Sequence, residues 1–341
     1  MKKSPETSVA VIGAGSWGTA LAKLLSDKGH HVHLWAHRPE HVQQIRDKKE
    51  NSDYLPGFPL CDRLFPLSDI HEAVRGKSFI VMVVPSHVFR SVFIQIIPEL
   101  ADDVIVVSAT KGIENESLMT MSQVMEEELH KAGKKVEVGV LTGPSFAKEV
   151  AAGIPTAVTV ASRSLATATA IQELFFTERF RVYTSTDLIG QELGAALKNI
   201  IAVAAGISDG LGYGTNTRAA LITRGLAEIT RLGVKMGANP LTFSGLGGMG
   251  DLVLTCTGDL SRNRTVGLKL GQGKILADIL AEMNMVAEGV KTTHSAMALA
   301  EREEVDMPIL EQIYQVIYED KDCQEAVHDL LTRDQKEEME Y

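Results

Sequence analysis

Three glycines near the start of the chain, Gly13, Gly15 and Gly18, have the spacing G-x-G-x-x-G. They follow the apolar run Ser8–Ile12 and open a helical pattern at Trp17. At such a strand-to-helix turn, glycines let backbone N–H groups approach a pyrophosphate, and the helix N-terminus favours the anion. The spacing alone is weak evidence, but its position between a strand and a helix predicts a dinucleotide site. The alternative is a glycine turn that binds nothing.

The second predicted strand, His31–Trp35, is followed by Ala36, His37 and Arg38. An NAD-specific site usually has a carboxylate here, which binds the adenosine ribose. Arg38 can instead hold a 2′-phosphate, and no neighbouring carboxylate repels that group. We therefore expect NADP to be favoured as the cofactor, with NAD as the other option. The alternative for Arg38 is a solvated side chain that opens the next helix.

Lys198 and Asn199 interrupt the helical pattern Leu193–Ile207, which is otherwise apolar on nearly every face. A lysine in apolar surroundings loses hydration, and its pKa falls toward the range in which it exchanges protons. Hydride transfer to a ketone needs such a donor for the developing alkoxide. Lys198 is therefore a candidate acid and base, and Asn199 is suited to orient it or to bind the substrate oxygen. The alternative is a lysine that reaches the surface along its own stem.

Three further segments place polar groups beside glycines: 108–114 with Lys111, 141–147 with Gly143 and Ser145, and 245–252 with Asp251, the last leading to 261–264. The first two follow predicted strands, at the end where open α/β sheets bind ligands. Segment 245–250 has four glycines in six residues, which indicates close backbone approach.

The run Ser-Arg-Asn-Arg at 261–264 resembles an anion clamp at a helix start. Each segment also has a simpler interpretation: Lys111 on a surface turn, Ser145 or Asp251 as a helix cap, and Arg262 and Arg264 as a solvated face. Two basic clusters in a chain with a predicted dinucleotide fold favour a phosphorylated substrate.

The composition is that of a globular protein with two domains: 341 residues, 45% hydrophobic and 23% charged. A net charge of −10 argues against nucleic acid or an anionic membrane as a partner. The three cysteines lack metal-ligand spacing, and we expect no metal site. No apolar stretch is long enough to insert in a membrane, and few cysteines suit a reducing compartment, so the expected location is cytoplasmic.

From Ser8 to about Thr184, short β-branched runs alternate with helical patterns, which predicts a doubly wound α/β domain of Rossmann type with a parallel sheet. After about Asp187 only helical patterns remain. We therefore expect a dinucleotide-binding domain at 1–186 and an all-helical substrate and catalytic domain at 187–341. The predicted strands are Ser8–Ile12, His31–Trp35, Phe79–Val84, Val104–Ser108, Val138–Leu141, Ala157–Val160 and Arg181–Tyr183. The predicted helices are Trp17–Asp27, His87–Ile97, Leu118–Lys131, Ala166–Phe175, Leu193–Ile207, Ala219–Met236, Ile275–Met283, Lys291–Glu301 and Leu310–Tyr318.

Six motifs together resemble the bacterial NAD(P)-dependent glycerol-3-phosphate dehydrogenases. They are the glycine motif at 13–18, Thr-Lys-Gly-Ile-Glu at 110–114, Gly-Pro-Ser-Phe-Ala at 143–147, Leu-Lys-Asn-Ile-Ile at 197–201, the glycine-rich run at 245–251 and Ser-Arg-Asn-Arg at 261–264. Single motifs occur in other dehydrogenases, but the ordered set is specific, and it extends from Val9 to about Pro308.

The resemblance implies reversible hydride transfer between NAD(P)H and dihydroxyacetone phosphate, giving sn-glycerol 3-phosphate for phospholipid synthesis. It implies that Lys198 is the proton acceptor in glycerol 3-phosphate oxidation and that Lys111 contacts both cofactor and substrate. The other implied substrate-binding residues are Gly143, Ser145, Asp251, Ser261, Arg262 and Asn263. The implied cofactor-binding residues are Gly13, Gly15, Ser16, Trp17, Gly18, His37, Arg38, Ala147, Arg262, Val286 and Glu288.

Two other functions compete with this one. A β-hydroxyacid dehydrogenase also pairs a Rossmann domain with a helical domain carrying a lysine and an asparagine, but the motifs at 245–251 and 261–264 argue against it. A non-catalytic dinucleotide sensor needs no proton-transfer residue and would leave Lys198 unexplained. The sequence does not determine the oligomeric state, and a homodimer is one option.

Overall fold

The computed structural model describes residues 7–283, 287–335 and 337–338. The chain divides into two compact units. An α/β unit comprises the described residues up to Thr110 together with Met121–Leu188. A helical unit comprises Lys111–Thr120 and the residues from Ile189 onward.

The α/β unit is built on one eight-stranded sheet with the strand order β3-β2-β1-β4-β5-β6-β7-β8. The central strands are continuous apolar runs; Val9 to Ile12 are fully buried, as expected when helices cover both faces. The strands are β1 Ser8–Ile12, β2 His31–Trp35, β3 Leu64–Leu67, β4 Phe79–Met82, β5 Ile105–Ser108, β6 Glu137–Thr142, β7 Thr156–Ala161 and β8 Phe180–Ser185. The helices are α1 Ser16–Asp27, α2 Pro39–Lys48, α3 Ile70–Val74, α4 Ser86–Ile96, α5 Met121–Lys131, α6 Ala147–Ala151 and α7 Leu165–Phe175.

The doubly wound α/β prediction is confirmed, with two differences in the sheet. β7 pairs antiparallel with β6, so β7 and β8 run in the opposite direction to the other six strands. The sequence pattern predicts a parallel sheet instead. β3 was not predicted because Pro66 interrupts its pattern; as an edge strand, β3 tolerates a residue that cannot donate to a second neighbour.

The segment Lys111–Thr120 belongs to the helical unit, whereas the expected division placed it with the sheet. The physical reason is apolar burial: Ile113 is buried in the core of the helical unit, and Leu118 packs against that core. Leu118 also has a left-handed backbone with φ of 58°, which a helix cannot include. The helix predicted from Leu118 therefore begins at Met121.

In the helical unit, the described residues from Ile189 onward form helices and no strand. The first of these, α8, has the length and hydropathy to cross a membrane, but 94% of its most apolar window is buried inside the protein. The helices are α8 Leu188–Gly210, α9 Thr215–Lys235, α10 Pro240–Phe243, α11 Asp251–Thr257, α12 Arg262–Gly271, α13 Leu276–Ala281, α14 Glu288–Arg302, α15 Pro308–Tyr318 and α16 Cys323–Leu331.

Helices α8 and α12 meet backbone to backbone, because glycines line both sides of their contact. An added Cβ at Gly206 would lie 2.1 Å from the carbonyl oxygen of Arg264, and one at Gly267 would lie 2.0 Å from that of Val203. Gly210 and Gly271 have similar contacts one turn further on. This close approach fixes α12 against the C-terminal half of α8, the helix that carries Lys198.

Candidate active site

In the α/β unit, close packing within the protein requires glycine at two positions of the turn between β1 and α1. Gly13 has φ of 120°, and an added Cβ there would lie 2.4 Å from the carbonyl oxygen of Val83. An added Cβ at Gly18 would lie 1.8 Å from the carbonyl oxygen of Gly13. Gly15 differs, because it has an ordinary φ of −74° and no atom of the described residues lies within 4 Å of an added Cβ. The fold does not require glycine at 15, whereas close approach by a ligand does.

Two more features of this glycine turn, residues 13–18, fit a bound dinucleotide. No side chain caps α1 at Gly15, and no acidic residue lies in the first turn of this helix, so its positive end is not neutralised there. The Trp17 indole N–H is buried without a hydrogen-bond partner among the described residues. Ser16 donates its hydroxyl hydrogen to the carbonyl oxygen of Tyr54, which holds the start of the helix.

His37 and Arg38 lie beside the glycine turn, because the Gly13 N–H donates to the carbonyl oxygen at the end of β2, on Trp35, at 3.1 Å. Both side chains are exposed. The Arg38 guanidinium donates weakly to the Tyr54 hydroxyl at 3.5 Å and forms no ion pair with a described residue. Arg38 is also the N-cap residue of α2, and its side chain makes no capping hydrogen bond to that helix.

The segment Gly143–Ala147 follows β6, and its last residue opens α6, which packs against α1. Gly143 has φ of 117°, and an added Cβ there would lie 3.0 Å from the Cα of Val158. The Ser145 hydroxyl donates to the Gly143 carbonyl at 2.9 Å. Since Phe146 is the N-cap residue of α6, Ser145 does not cap this helix.

In the helical unit, four side chains form what we call the lysine cluster: Lys111, Lys198, Asp251 and Thr255. Asp251 is buried and bridges the two lysines, with one carboxylate oxygen 2.7 Å from Lys111 Nζ and the other 3.1 Å from Lys198 Nζ. Lys198 also donates to Thr255 Oγ1 at 2.6 Å, and this hydroxyl donates to the Asp251 carbonyl at 2.6 Å. The ammonium group is thus fixed by two oxygens.

Lys198 is only 4% exposed, and burial lowers its pKa from the usual 10.5 to about 8. The Asp251 carboxylate opposes this shift, and the positive charge of Lys111 adds to it. The amine therefore changes charge near physiological pH, the range that suits general acid–base chemistry. Lys198 does not reach the surface along its stem, and Asp251 is the first residue of α11, not its cap.

Packing of glycines explains how α11 brings Asp251 to α8. A single turn of π-helix, Leu246–Gly250, precedes Asp251. An added Cβ at Gly248 would lie 2.2 Å from the Phe243 carbonyl oxygen, and one at Gly194 on α8 would lie 2.6 Å from that of Gly247. The close backbone approach expected for 245–250 is therefore made within the protein.

Ser261, Arg262 and Asn263 form the start of α12. Ser261 is the N-cap residue and accepts from the Arg264 N–H at 3.3 Å, whereas the Arg262 side chain is exposed. The Asn263 side-chain oxygen accepts from the Gly289 N–H at 2.9 Å, so the start of α12 is tied to the start of α14, which is Glu288. Val286 lies outside the described residues.

Arg264 does not form an anion clamp with Arg262, because carboxylates already neutralise it. It pairs with Asp209 at 2.8 Å and with Asp259 at 3.0 Å. Asp209 also pairs with Arg218, so one buried carboxylate anchors α12 and α9 to the end of α8.

Sequence reasoning missed Thr255 in the lysine cluster. The spacing could have indicated it: Thr255 follows Asp251 by four residues on α11, so both side chains project from one face of that helix. The predicted site residues thus fall into two groups. In the α/β unit the structure brings together the glycine turn and the residues after β2; in the helical unit it brings Lys111, Lys198 and Asp251 into direct contact.

Two family models match most of the chain. The model of the NAD-dependent glycerol-3-phosphate dehydrogenase N-terminus matches residues 8–168, and that of the C-terminus matches residues 187–328. A protein of Citrifermentans bemidjiense named glycerol-3-phosphate dehydrogenase [NAD(P)+] is 58% identical over 330 residues, covering 97% of this chain and 98% of that one. The crystal structure of glycerol-3-phosphate dehydrogenase from Coxiella burnetii has a TM-score of 0.92 at 40% identity, covering 96% of this chain and 99% of the other. The chain therefore belongs to the family of NAD-dependent glycerol-3-phosphate dehydrogenases.

Proposed function

We propose that this protein catalyses reversible hydride transfer between NAD(P)H and dihydroxyacetone phosphate, giving sn-glycerol 3-phosphate, with Lys198 as the proton donor and acceptor. The observation that carries the proposal is the lysine cluster: a buried amine with a pKa of about 8, held by Asp251 and Thr255. A dinucleotide sensor needs no proton-transfer group, and a buried ion pair is a poor source of stability because its desolvation can outweigh the Coulombic gain.

The chemistry requires one proton for each reduction. NAD(P)H, when bound, supplies a hydride to the central carbon of the ketone. The Lys198 ammonium gives a proton to the ketone oxygen, which becomes the hydroxyl group; in the reverse direction the neutral amine removes that proton. Asp251 and Thr255 restrict the ammonium to one orientation, which lowers the entropic cost of reaching the substrate oxygen.

Charge in the lysine cluster supports an anionic substrate. With both lysines protonated, the cluster carries two positive charges and one negative charge, a net of +1. We propose that this excess, with the exposed Arg262 at the start of α12, attracts the substrate phosphate. Gly143, Ser145, Ser261 and Asn263 are the further proposed substrate-binding residues.

For the cofactor we propose that Gly13, Gly15 and Gly18 let the backbone approach the pyrophosphate and that Arg38 holds a 2′-phosphate. The exposed guanidinium, which forms no ion pair with a described residue, supports a preference for NADP over NAD. Ser16, Trp17, His37, Lys111, Ala147, Arg262, Val286 and Glu288 complete the proposed cofactor-binding set.

The test is the absorbance of the reduced nicotinamide when the protein is mixed with dihydroxyacetone phosphate and either NADPH or NADH. We expect rapid oxidation that requires the phosphate, with NADPH used more efficiently than NADH. Turnover of a β-hydroxyacid without phosphate, and none of dihydroxyacetone phosphate, would contradict the proposal.

We further propose that residues 1–186, apart from Lys111–Thr120, form the dinucleotide-binding domain, and that 187–341 with that segment form the substrate and catalytic domain. The proposed role is the supply of glycerol 3-phosphate for phospholipids in the cytoplasm, by a homodimer. Sedimentation tests the dimer. Depletion of the protein should make cell growth depend on added glycerol 3-phosphate, and unaffected growth would contradict the role.

A further inference from the structure

The side chain of Asn51 forms a buried hydrogen-bonding centre directly beneath the glycine turn. Asn51 is fully buried in the α/β unit and lies just after α2, in a segment that has no regular secondary structure. Its amide nitrogen donates to the Ala14 carbonyl at 2.9 Å and to Thr19 Oγ1 at 2.7 Å. Ala14 is in the turn and Thr19 is in the first turns of α1, so one amide group links the turn to the helix that follows it.

The amide oxygen of Asn51 also has two hydrogen-bond partners. It accepts from the Tyr54 N–H at 3.3 Å and lies 2.9 Å from the Nε2 atom of the buried His41. A flipped amide would place its NH₂ group against the Tyr54 N–H and its oxygen against the Ala14 carbonyl. The network therefore fixes the amide orientation, and it requires that the His41 Nε2 atom carry a proton.

Tyr54 extends this network to the residues proposed to bind the cofactor. Its carbonyl accepts from the Ser16 hydroxyl, and its hydroxyl accepts from Arg38. Asn51 thus restrains the glycine turn directly through Ala14, and it restrains Ser16 and Arg38 through Tyr54. Its side-chain partners lie in the glycine turn, on α1, on α2 and at Tyr54, so the amide joins the residues proposed to bind the cofactor to the two helices beside them.

We propose that Asn51 is a positioning residue for the dinucleotide: it holds the glycine turn in the shape that receives the pyrophosphate, without contacting the cofactor. The inference rests on the proposed dinucleotide site at Gly13–Gly18. A turn without this restraint pays an ordering cost on each binding event, so the loss appears in cofactor affinity and not in the chemical step.

The test uses the full-length protein with the variants Asn51→Ala and Asn51→Asp. Asn51→Asp keeps the size of the side chain but replaces the NH₂ donor with an oxygen that faces the Ala14 carbonyl. We expect the dissociation constant and the KM for NADPH and for NADH to rise by about tenfold or more, as loss of buried hydrogen bonds implies. The kcat at saturating NADPH and the KM for dihydroxyacetone phosphate should stay near the wild-type values.

Ser162→Ala is the matched control, because it removes one buried hydrogen bond from the same unit, from Ser162 to the Val138 carbonyl at 2.7 Å. Ser162 follows β7, which runs antiparallel to β6, so it lies at the opposite edge of the sheet from Gly13. We expect a lower urea midpoint and an unchanged NADPH dissociation constant. If the Asn51 variants do not fold, Thr19→Val removes only one acceptor and should give a smaller rise in the same constants.

The inference is overturned if the Asn51 variants, or Thr19→Val in their place, bind NADPH as tightly as Ser162→Ala at a comparable urea midpoint. It is also overturned if kcat falls while the KM for NADPH stays unchanged. A wild-type protein that binds neither NADPH nor NADH would instead remove the proposed function itself.

Discussion

The glycine turn and the lysine cluster are built in opposite ways. The turn is made from residues 13–18, which are close in sequence, and its working groups are backbone atoms. The cluster joins Lys111 to Asp251 across 140 positions of the chain, and its working groups are side chains. Glycine has a different role in each: in the turn it permits the backbone geometry, whereas around α8 it lets helices approach until side chains far apart in sequence meet. The geometry of the local site could therefore be inferred from its spacing, whereas the contacts within the lysine cluster are seen only in the structure.

The comparison predicts that the chemical step depends on one side chain of the lysine cluster. Lys198→Ala should reduce kcat by about 10³-fold, the typical contribution of a general acid or base, with NADPH affinity nearly unchanged. Steady-state rates and an NADPH titration measure the two effects. Lys235→Ala, at the exposed end of α9, is the control and should be neutral. A kcat near the wild-type value in Lys198→Ala would remove Lys198 from the mechanism.

The second prediction concerns the assembly of the cluster by packing. In Gly206→Ala the new methyl group would meet the Arg264 carbonyl, so α12 must move away from α8. We expect the free energy of unfolding to fall by about 1–3 kcal/mol, as for an overpacked core, and the KM for dihydroxyacetone phosphate to rise. Urea denaturation and kinetics provide the measurements. Unchanged stability would show that the α8–α12 contact is looser than described.

The third prediction separates ligand approach from fold in the glycine turn. The methyl group of Gly15→Ala would meet none of the described residues, so the fold should tolerate it, but it would occupy the face proposed for the pyrophosphate. We expect an NADPH dissociation constant higher by about tenfold, equivalent to about 1.4 kcal/mol. Gly214→Ala is a close control, because Gly214 also begins a helix, α9, without a side-chain cap and with open space around it. Equal NADPH affinity in the two variants would contradict a pyrophosphate at the turn.

The smallest expected effect is a change of cofactor preference. Arg38→Ala should raise the KM for NADPH by several-fold to about tenfold and leave the KM for NADH nearly unchanged, since only NADPH carries the 2′-phosphate. Rates with both cofactors measure the ratio. Equal changes for the two cofactors would mean that Arg38 does not distinguish them.

Most of the sheet could be predicted from the sequence, because buried strands are apolar runs bounded by turn residues. β1 and β2 have the predicted bounds. β3 was missed because Pro66 interrupts its pattern. The direction of β7 could not be predicted, because an apolar run looks the same in a parallel and in an antiparallel strand. The short helices α10 and α11 were not predicted, since runs of four and seven residues are too short to show a helical period.

The candidate site could be predicted where the residue type and its sequence neighbours together determine whether a side chain is buried. A lysine in an apolar helix implied the burial of Lys198, and the structure has it buried. The contact of Asp251 with both lysines depends on how α8, α11 and segment 111–120 pack, which no spacing encodes. Asn51 gave no signal, because a buried asparagine after a helix looks like any loop residue until its four partners are known.

The most direct test of the central claim is the pH dependence of kcat/KM in both directions. Burial lowers the pKa of Lys198 to about 8, so the ammonium predominates below this pH and the neutral amine above it. We therefore expect reduction of dihydroxyacetone phosphate to slow as pH rises through about 8, and oxidation of glycerol 3-phosphate to accelerate over the same range. The neighbouring Cys256 should not contribute, because burial raises its pKa to about 12.

Asp251→Asn identifies the titrating group, because removing a carboxylate that stabilises the ammonium should move the inflection to lower pH. Substrate phosphate ionises near pH 6, well away from this range. Opposite pH trends that centre near 8 and shift downward in Asp251→Asn are the predicted result. Parallel trends in the two directions, or an inflection that Asp251→Asn leaves in place, would contradict the assignment of Lys198 as the acid and base.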